Sequence, residues 1–376
     1  MRYPDQDRIV VPDPLVGTPY RALFPLAEGG MGELFEAEQL ALGKRVVVKL
    51  LREALLDDPA MEARLQLEAQ VAGRLSHPNL VAVLDYGKTP AERPYLVMEK
   101  LNGRTLREEL HHRGAFSIED AVSVLVQTLA GLETVHRAGL VHRDVKLGNL
   151  FLCEAEGGHR VVKILDFGVV KVLARRGSMP APLAIPTGDG CVVGTPRYVA
   201  PEQIVGIVDP RGDLYAAGIV LYWLLTGCDP FSHHRDPLAL LRAHASEAPE
   251  PPSRRMSRPL PEALETAILR ALAKQPGDRF PSAAEFSAAL QAAILPMARA
   301  VSAEAPLSSP NPRCTRSTEP GGPDEATRVL PPHRLEAAPR LPPSLRGLWA
   351  MVVAGLLGAV VTLLVLTLVH RRASLP

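Results

Sequence analysis

Asp144 stands two residues before Lys146 and five before Asn149, in the run His142-Arg143-Asp144-Val145-Lys146-Leu147-Gly148-Asn149. A second acid, Asp166, opens the string Asp166-Phe167-Gly168 a short way downstream. Residues of these types can carry a phosphoryl transfer. A hydroxyl nucleophile needs a carboxylate to orient it and accept its proton, and Asp144 can be that group. A triphosphate needs magnesium, a hard cation that prefers oxygen ligands, and Asn149 and Asp166 can supply them. Lys146 would place a positive charge beside the transferred group, where negative charge has to be stabilised.

Other partners for that chemistry lie upstream. Leu26-Ala27-Glu28-Gly29-Gly30-Met31-Gly32-Glu33-Leu34 falls between two strand-like runs, and glycines there let backbone approach phosphates with no side chain in the way, although hairpins use glycine too. Lys49 ends a β-branched run and could reach the α- and β-phosphates while paired with an acid. Glu68 is the candidate acid, in a stretch where Leu65, Val71, Ala72 and Leu75 give an apolar face at helical spacing. A solvent pair with Arg64, four residues earlier, is the alternative role for Glu68.

These residues need elements to hold them. Arg45–Leu51 reads as a strand, Ala60–Leu75 as a helix, and Leu80–Leu84 and Tyr95–Met98 as further strands. Later the chain turns helical, for example over Ile118–Arg137, Leu214–Thr226 and Leu260–Ala273. Strands first and helices afterwards predict an α+β fold with two lobes, a small β-rich one and a larger helical one.

The motifs together, in this order over residues 20–290, resemble the bacterial branch of the eukaryotic-type (Hanks-type) serine/threonine protein kinases. The resemblance implies ATP as phosphoryl donor, Mg2+ as cofactor with Mn2+ as a substitute, and Ser/Thr hydroxyls of proteins as acceptors. It makes Asp144 and Lys146 catalytic and Asn149 and Asp166 metal ligands. Leu26, Gly29, Gly32, Leu34 and Val47 then surround the nucleotide, with Lys49 as the nucleotide lysine and Glu68 as its helical partner. Tyr95-Leu96-Val97-Met98-Glu99-Lys100-Leu101 resembles the hinge, where the backbone of Glu99 and Leu101 would bond adenine. Met98 would close the back of that pocket, a role compatible with ordinary core packing.

Gly194-Thr195-Pro196 and Ala200-Pro201-Glu202 resemble the end of an activation segment that begins at Asp166-Phe167-Gly168, and they separate protein kinases from small-molecule kinases. Thr195 is expected near Asp144 and Lys146, Glu202 is expected to pair with Arg279, and Asp213 to brace the catalytic loop, a helix cap being its alternative role. Arg143 would answer a phosphorylated residue in the segment, with Thr187, Ser178 and Thr195 as candidates and autophosphorylation at Thr187 the favoured one. The pattern departs at Ala27 for the first loop glycine, at Val47 for the usual alanine, and at Leu147-Gly148 for the usual Pro-Glu, which is expected to relax the loop. None of these removes a group that does chemistry. A pseudokinase scaffold, binding nucleotide and partners without turnover, is the competing reading.

Composition bounds the rest. The 42 basic and 41 acidic side chains leave a formal charge of +1, which gives no sign of nucleic-acid binding. Four scattered cysteines, with no paired short spacing, argue against a disulfide framework or a zinc site. Residues 1–19 read as a flexible leader, 20–290 as the kinase domain, 291–346 as a Pro-rich disordered linker, 347–369 as a transmembrane helix and 370–376 as a short tail with no room for a folded sensor. Leu348 to Val369 is a run of 22 residues with no charged side chain, flanked by Arg346 and by Arg371 and Arg372. A linker richer in arginine than the tail predicts a single-pass protein of the inner (plasma) membrane with its kinase domain in the cytoplasm. A homodimer is compatible with all of this.

Overall fold

The computed structural model describes residues 13–30, 32–154, 160–166 and 197–303, with side chains as far as residue 296. Strands β1 (Tyr20–Glu28), β2 (Gly32–Gln39), β3 (Lys44–Leu51), β4 (Val83–Lys88) and β5 (Pro94–Glu99) form an antiparallel sheet in the order β1-β2-β3-β5-β4. The helix α1 (Pro59–Ala72) belongs to this first lobe and packs on β4 and β5. Asp58 caps it, accepting the Ala60 N–H, and Pro59 at its first position has no N–H to leave unsatisfied.

Period-two alternation on β3 decides which side chains can reach a nucleotide. Val46, Val48 and Leu50 turn to one face and join Leu15, Tyr20, Ala37, Tyr95 and Val97 in a small core. Val47, Lys49 and Leu51 therefore turn to the other, where Val47 and Leu51 meet the main core that also holds Leu96 and Met98. Lys49 is thus a charged position set between two apolar ones on that face.

The second lobe begins with the short sheet β6 (Gly103–Thr105), β7 (Leu150–Glu154) and β8 (Arg160–Ile164). Its helices are α2 (Leu106–Arg113), α3 (Ile118–Arg137), α4 (Pro201–Ile204), α5 (Arg211–Thr226), α6 (Pro237–Ser246), α7 (Glu262–Ala271) and α8 (Ala283–Ala303). Ser117 caps α3 through the Asp120 N–H, and Ile118, Ala121, Val122, Leu125, Leu129 and Leu132 bury one face at helical spacing. Almost every residue of α5 is buried, which makes it the axis of the lobe; it stops at Gly227, whose φ of +80° suits glycine.

Some elements differ from the sequence expectation. The strand expected over Leu80–Leu84 starts at Val83, because Leu80 instead bridges to Ile164 beside the short sheet and is buried there. α1 ends at Ala72 rather than Leu75, with Gly73 as its cap. α8 runs to Ala303, through the stretch from 291 that was expected to be disordered. Its apolar face still has core to cover there, since Leu290 and Ala293 are both buried. Among the described residues no helix is long and apolar enough to cross a membrane. Residues 347–369, the expected span, lie outside them.

Candidate active site

Lys49 Nζ lies 3.0 Å from Glu68 Oε1 and 3.1 Å from Asp166 Oδ1. A strand of the first lobe, its helix and the end of the short sheet thereby meet on one ammonium. Glu68 is buried on α1 and bonds Lys49 of β3, rather than standing in solvent beside Arg64. Burial works against the Lys49 ammonium, but Asp166 and Glu68 outweigh it and hold its pKa above the ordinary lysine value. For Asp166, burial raises the carboxyl while the nearby Lys49 more than offsets it, leaving the carboxyl below its usual range. Burial dominates at Glu68 and pushes that carboxyl up.

Across the cleft, Lys146 Nζ donates to Asp144 Oδ2 at 2.7 Å, and Asn149 Nδ2 donates to Asp144 O at 2.9 Å and to Oδ2 at 2.8 Å. Asp144, Lys146 and Asn149 therefore form one bonded cluster. Leu147–Asn149 makes a 3₁₀ turn, and Leu147 is buried in the main core. The side chain at the usual proline's position is thus packed into the core.

Asp213, near the start of α5, accepts from the His142 N–H at 2.8 Å and from the Arg143 N–H at 2.7 Å. Its Oδ2 also lies 2.8 Å from His136 Nε2. Arg143 has φ of +63° and Asp166 of +34°, the left-handed region that non-glycine residues avoid. The grip of Asp213 on the Arg143 N–H is what such a conformation needs in order to persist. Further out, Arg279 donates from Nη1 and Nη2 to the two oxygens of Glu202, both at 2.7 Å, with both side chains buried. The same guanidinium donates to the Ala273, Lys274 and Arg211 carbonyls, so the buried charge is fully engaged.

The nucleotide-facing residues lie around this centre. Val47 pairs with Met98 across β3 and β5, and Leu34 pairs with Lys49 across β2 and β3. Gly29 N–H donates to Gly32 O at 2.9 Å, closing the turn between β1 and β2. A Cβ on Gly32 would stand 2.9 Å from Leu50 O and 3.3 Å from Lys49 Cγ, so only glycine allows this approach to the Lys49 strand. Leu26 is exposed at the end of β1, and Ala27 takes an ordinary strand position opposite Leu34. The Glu99 N–H is spent on the Ala82 carbonyl at 3.0 Å, which leaves its carbonyl as the atom able to serve adenine. Leu101 is partly buried against the main core.

The donor chemistry fits magnesium. Asn149 commits its amide nitrogen to Asp144, which reserves its carbonyl oxygen for a cation, and Asp166 has Oδ2 besides the oxygen held by Lys49. Hard oxygen donors of this kind, completed by phosphate oxygens, are what Mg2+ takes. Phe167, Gly168, Ser178, Thr187 and Thr195 lie outside the described residues.

Sequence reasoning missed several contributors. His136 holds Asp213, and Lys163 Nζ donates to Glu99 Oε1 at 2.7 Å, tying the short sheet to the hinge. Arg93 is buried beside Glu33 and Glu53 and donates twice to the Leu51 carbonyl at the end of the Lys49 strand. None of these has a partner at a spacing that would announce it.

Comparison with known proteins agrees with this geometry. Residues 20–288 match the protein kinase domain family. The chain is 40% identical over 296 residues to the serine/threonine-protein kinase pkn3 of Myxococcus xanthus, covering 78% of this chain and 52% of that protein. It is 41% identical over 314 residues to Pkn1 of the same organism, covering 82% and 42%. Against PknB of Mycolicibacterium smegmatis it is 39% identical over 269 residues, covering 70% and 41%. The chain thus spans about half the length, or less, of the curated relatives it matches. The crystal structure of the Mycobacterium tuberculosis PknI kinase domain superposes with a TM-score of 0.55 at 26% identity, covering 73% of this chain and 96% of that one.

Proposed function

The chain belongs to the protein kinase domain family, and from that premise we propose that it is a serine/threonine protein kinase, moving the γ-phosphoryl group of ATP to Ser or Thr hydroxyls of proteins. The observation that carries this reading is the position of Lys49 Nζ, 3.0 Å from Glu68 and 3.1 Å from Asp166. That contact joins the nucleotide-binding strand to the residue that would hold the metal.

Asp144 orients the acceptor hydroxyl and takes its proton. Lys146, now paired with Asp144, offers its charge to the group in transfer, and Lys49 neutralises the α- and β-phosphates while Glu68 fixes its direction. Magnesium, held by Asn149 and Asp166, would neutralise charge along the triphosphate. Leu26, Leu34, Val47 and Met98 enclose adenine, and the backbone of Glu99 and Leu101 bonds it. Asp213 keeps the loop in its strained form, and the Glu202–Arg279 pair fixes the platform on which a protein substrate lies.

The preference for Ser and Thr rests on Thr195, and self-activation on phosphorylation of Thr187 answered by Arg143. Residues 347–369 anchor the chain in the plasma membrane, with the kinase domain on the cytoplasmic side where ATP is. Support for these finer assignments is the sequence alone.

The test is transfer of label from radioactive ATP with Mg2+ by the full chain. Wild type should label itself and a Ser/Thr-containing protein substrate, and Asp144→Asn should not. A wild type as inert as Asp144→Asn would refute the proposal and leave a nucleotide-binding scaffold. Unchanged activity in a Thr187→Ala variant would remove the switching role of that residue alone.

A further inference from the structure

His233 and His234 lie between α5 and α6, and Glu247 is the residue that caps α6. The three offer ligand atoms that all lie within 4.8 Å of one another. His233 Nε2 is 2.9 Å from Glu247 Oε1, and His234 Nε2 is 2.7 Å from Glu247 Oε2. The two rings are 4.1 Å apart between centroids and tilted by 46°, so both Nε2 atoms converge on one carboxylate. We propose that His233, His234 and Glu247 form a binding site for a borderline divalent transition-metal ion, zinc foremost, distinct from the nucleotide metal.

The donor set decides the class of ion. Two imidazoles and a carboxylate suit zinc and its neighbours, whereas Mg2+ takes oxygen and would ignore the histidines. Adjacent imidazoles both turned to one anion would repel each other if both were protonated. A dication among the three satisfies them together, each imidazole binding through Nε2 with its ring proton on Nδ1. Three protein ligands leave a coordination position for water or for a donor on a docked protein.

The backbone carrying these ligands is already fixed. Asp229, buried, accepts from the Phe231 N–H at 2.9 Å through Oδ1 and from the Ser232 N–H at 3.2 Å through its carbonyl. The His234 N–H donates to Phe231 O at 3.0 Å, and the Glu247 N–H to Ala243 O at 2.9 Å. Arg255 Nη1 donates to Ser232 Oγ at 2.7 Å, bracing the turn from a third side. Little reorganisation is needed to bind, while the half-exposed His233 keeps the site open to an ion from solvent. Bound metal would pin the turn before α6 to the helix end, 13 residues on from His234.

Isothermal titration of Zn2+ into the full chain, stripped with chelator and free of nucleotide, tests this. Wild type should bind one equivalent more than the double variant His233→Ala/His234→Ala. Glu247→Gln should weaken that equivalent by roughly tenfold or more, at least what outer partners of metal ligands are worth. Millimolar Mg2+ should not displace it. Equal zinc stoichiometry and affinity in wild type and double variant, with the metal-free melting temperature preserved, would overturn the proposal. If the double variant does not fold, unchanged zinc affinity in Glu247→Gln, which keeps the shape of the side chain, overturns it instead.

Discussion

Lys49 Nζ bonds two carboxylates, the buried Glu68 and the half-buried Asp166. Replacing it with methionine keeps the stem and the packing but deletes the phosphate contact and strands Glu68 in an apolar setting. Lys49→Met should lower kcat/KM by about 10²–10³-fold, the usual cost of one preorganised charge at a transition state, as steady-state phosphorylation kinetics would show. Asp144→Asn should cost about 10²–10⁴-fold in kcat with little change in KM for ATP, because Asp144 touches the acceptor rather than the nucleotide. Both residues could be read from the sequence because each stands in a local string of telling residue types: Asp144 just before Lys146 and Asn149, and Lys49 at the end of a β-branched run behind a glycine-rich turn. His136, Lys163 and Arg93 could not. Their partners are 77, 64 and 42 residues away, and a hydrogen bond across such a gap leaves no local pattern. The burial of Leu147 was hidden for a related reason: it depends on core volume that only the fold supplies.

At the scale of elements, α4 has four residues and cannot sustain itself by its own hydrogen bonds. It is held by Glu202, whose two oxygens meet the fully buried Arg279 guanidinium, itself fixed by carbonyls around the end of α7. Removing one partner leaves an uncompensated charge in the interior. Glu202→Ala should therefore destabilise the domain by about 3–5 kcal/mol, read as a lowered urea midpoint. The double variant Glu202→Leu/Arg279→Met should recover much of that loss, which separates a buried-charge penalty from lost packing. The large elements were legible where one period ran long enough, as in α3, or where a β-branched or apolar run marked them, as in β3 and α5. The sheet β6-β7-β8 was not, because strands of three to five residues carry too few alternations to distinguish them from loop. The far end of α8 was missed because alanine-rich helix and alanine- and proline-rich linker look alike until Leu290 and Ala293 find the core.

The whole molecule should lose stability on mild acidification, and the proposed tether should be separable from catalysis. His244 is fully buried between Phe231 and Tyr215, with the Tyr215 hydroxyl 2.9 Å from Nδ1. Burial, reinforced by the nearby Lys274 charge, lowers its pKa from 6.5 to about 3. A histidine depressed in the fold takes up its proton first in the unfolded chain, so stability is full above the unfolded value and falls as pH drops below it. Between pH 7 and pH 5 the loss from this group is about 2 kcal/mol. Urea unfolding at the two pH values should show a drop in wild type that is smaller by about that amount in His244→Asn; an equal drop in both would count against the assignment. The tether concerns the other end of the chain. Twenty-two uncharged residues from Leu348 to Val369 would reach about 33 Å as a helix at about 1.5 Å per residue, enough for a hydrocarbon core of about 30 Å. The kinase match ends at residue 288, and the site residues named above all lie at or before Arg279. A chain truncated before Gly347 should leave the membrane pellet, stay in solution without detergent and keep its specific activity, while the full chain resists carbonate extraction. A truncated chain that still sediments with membranes would place the attachment elsewhere in the protein. A full chain that washes off with carbonate would mean that the 22 residues do not span.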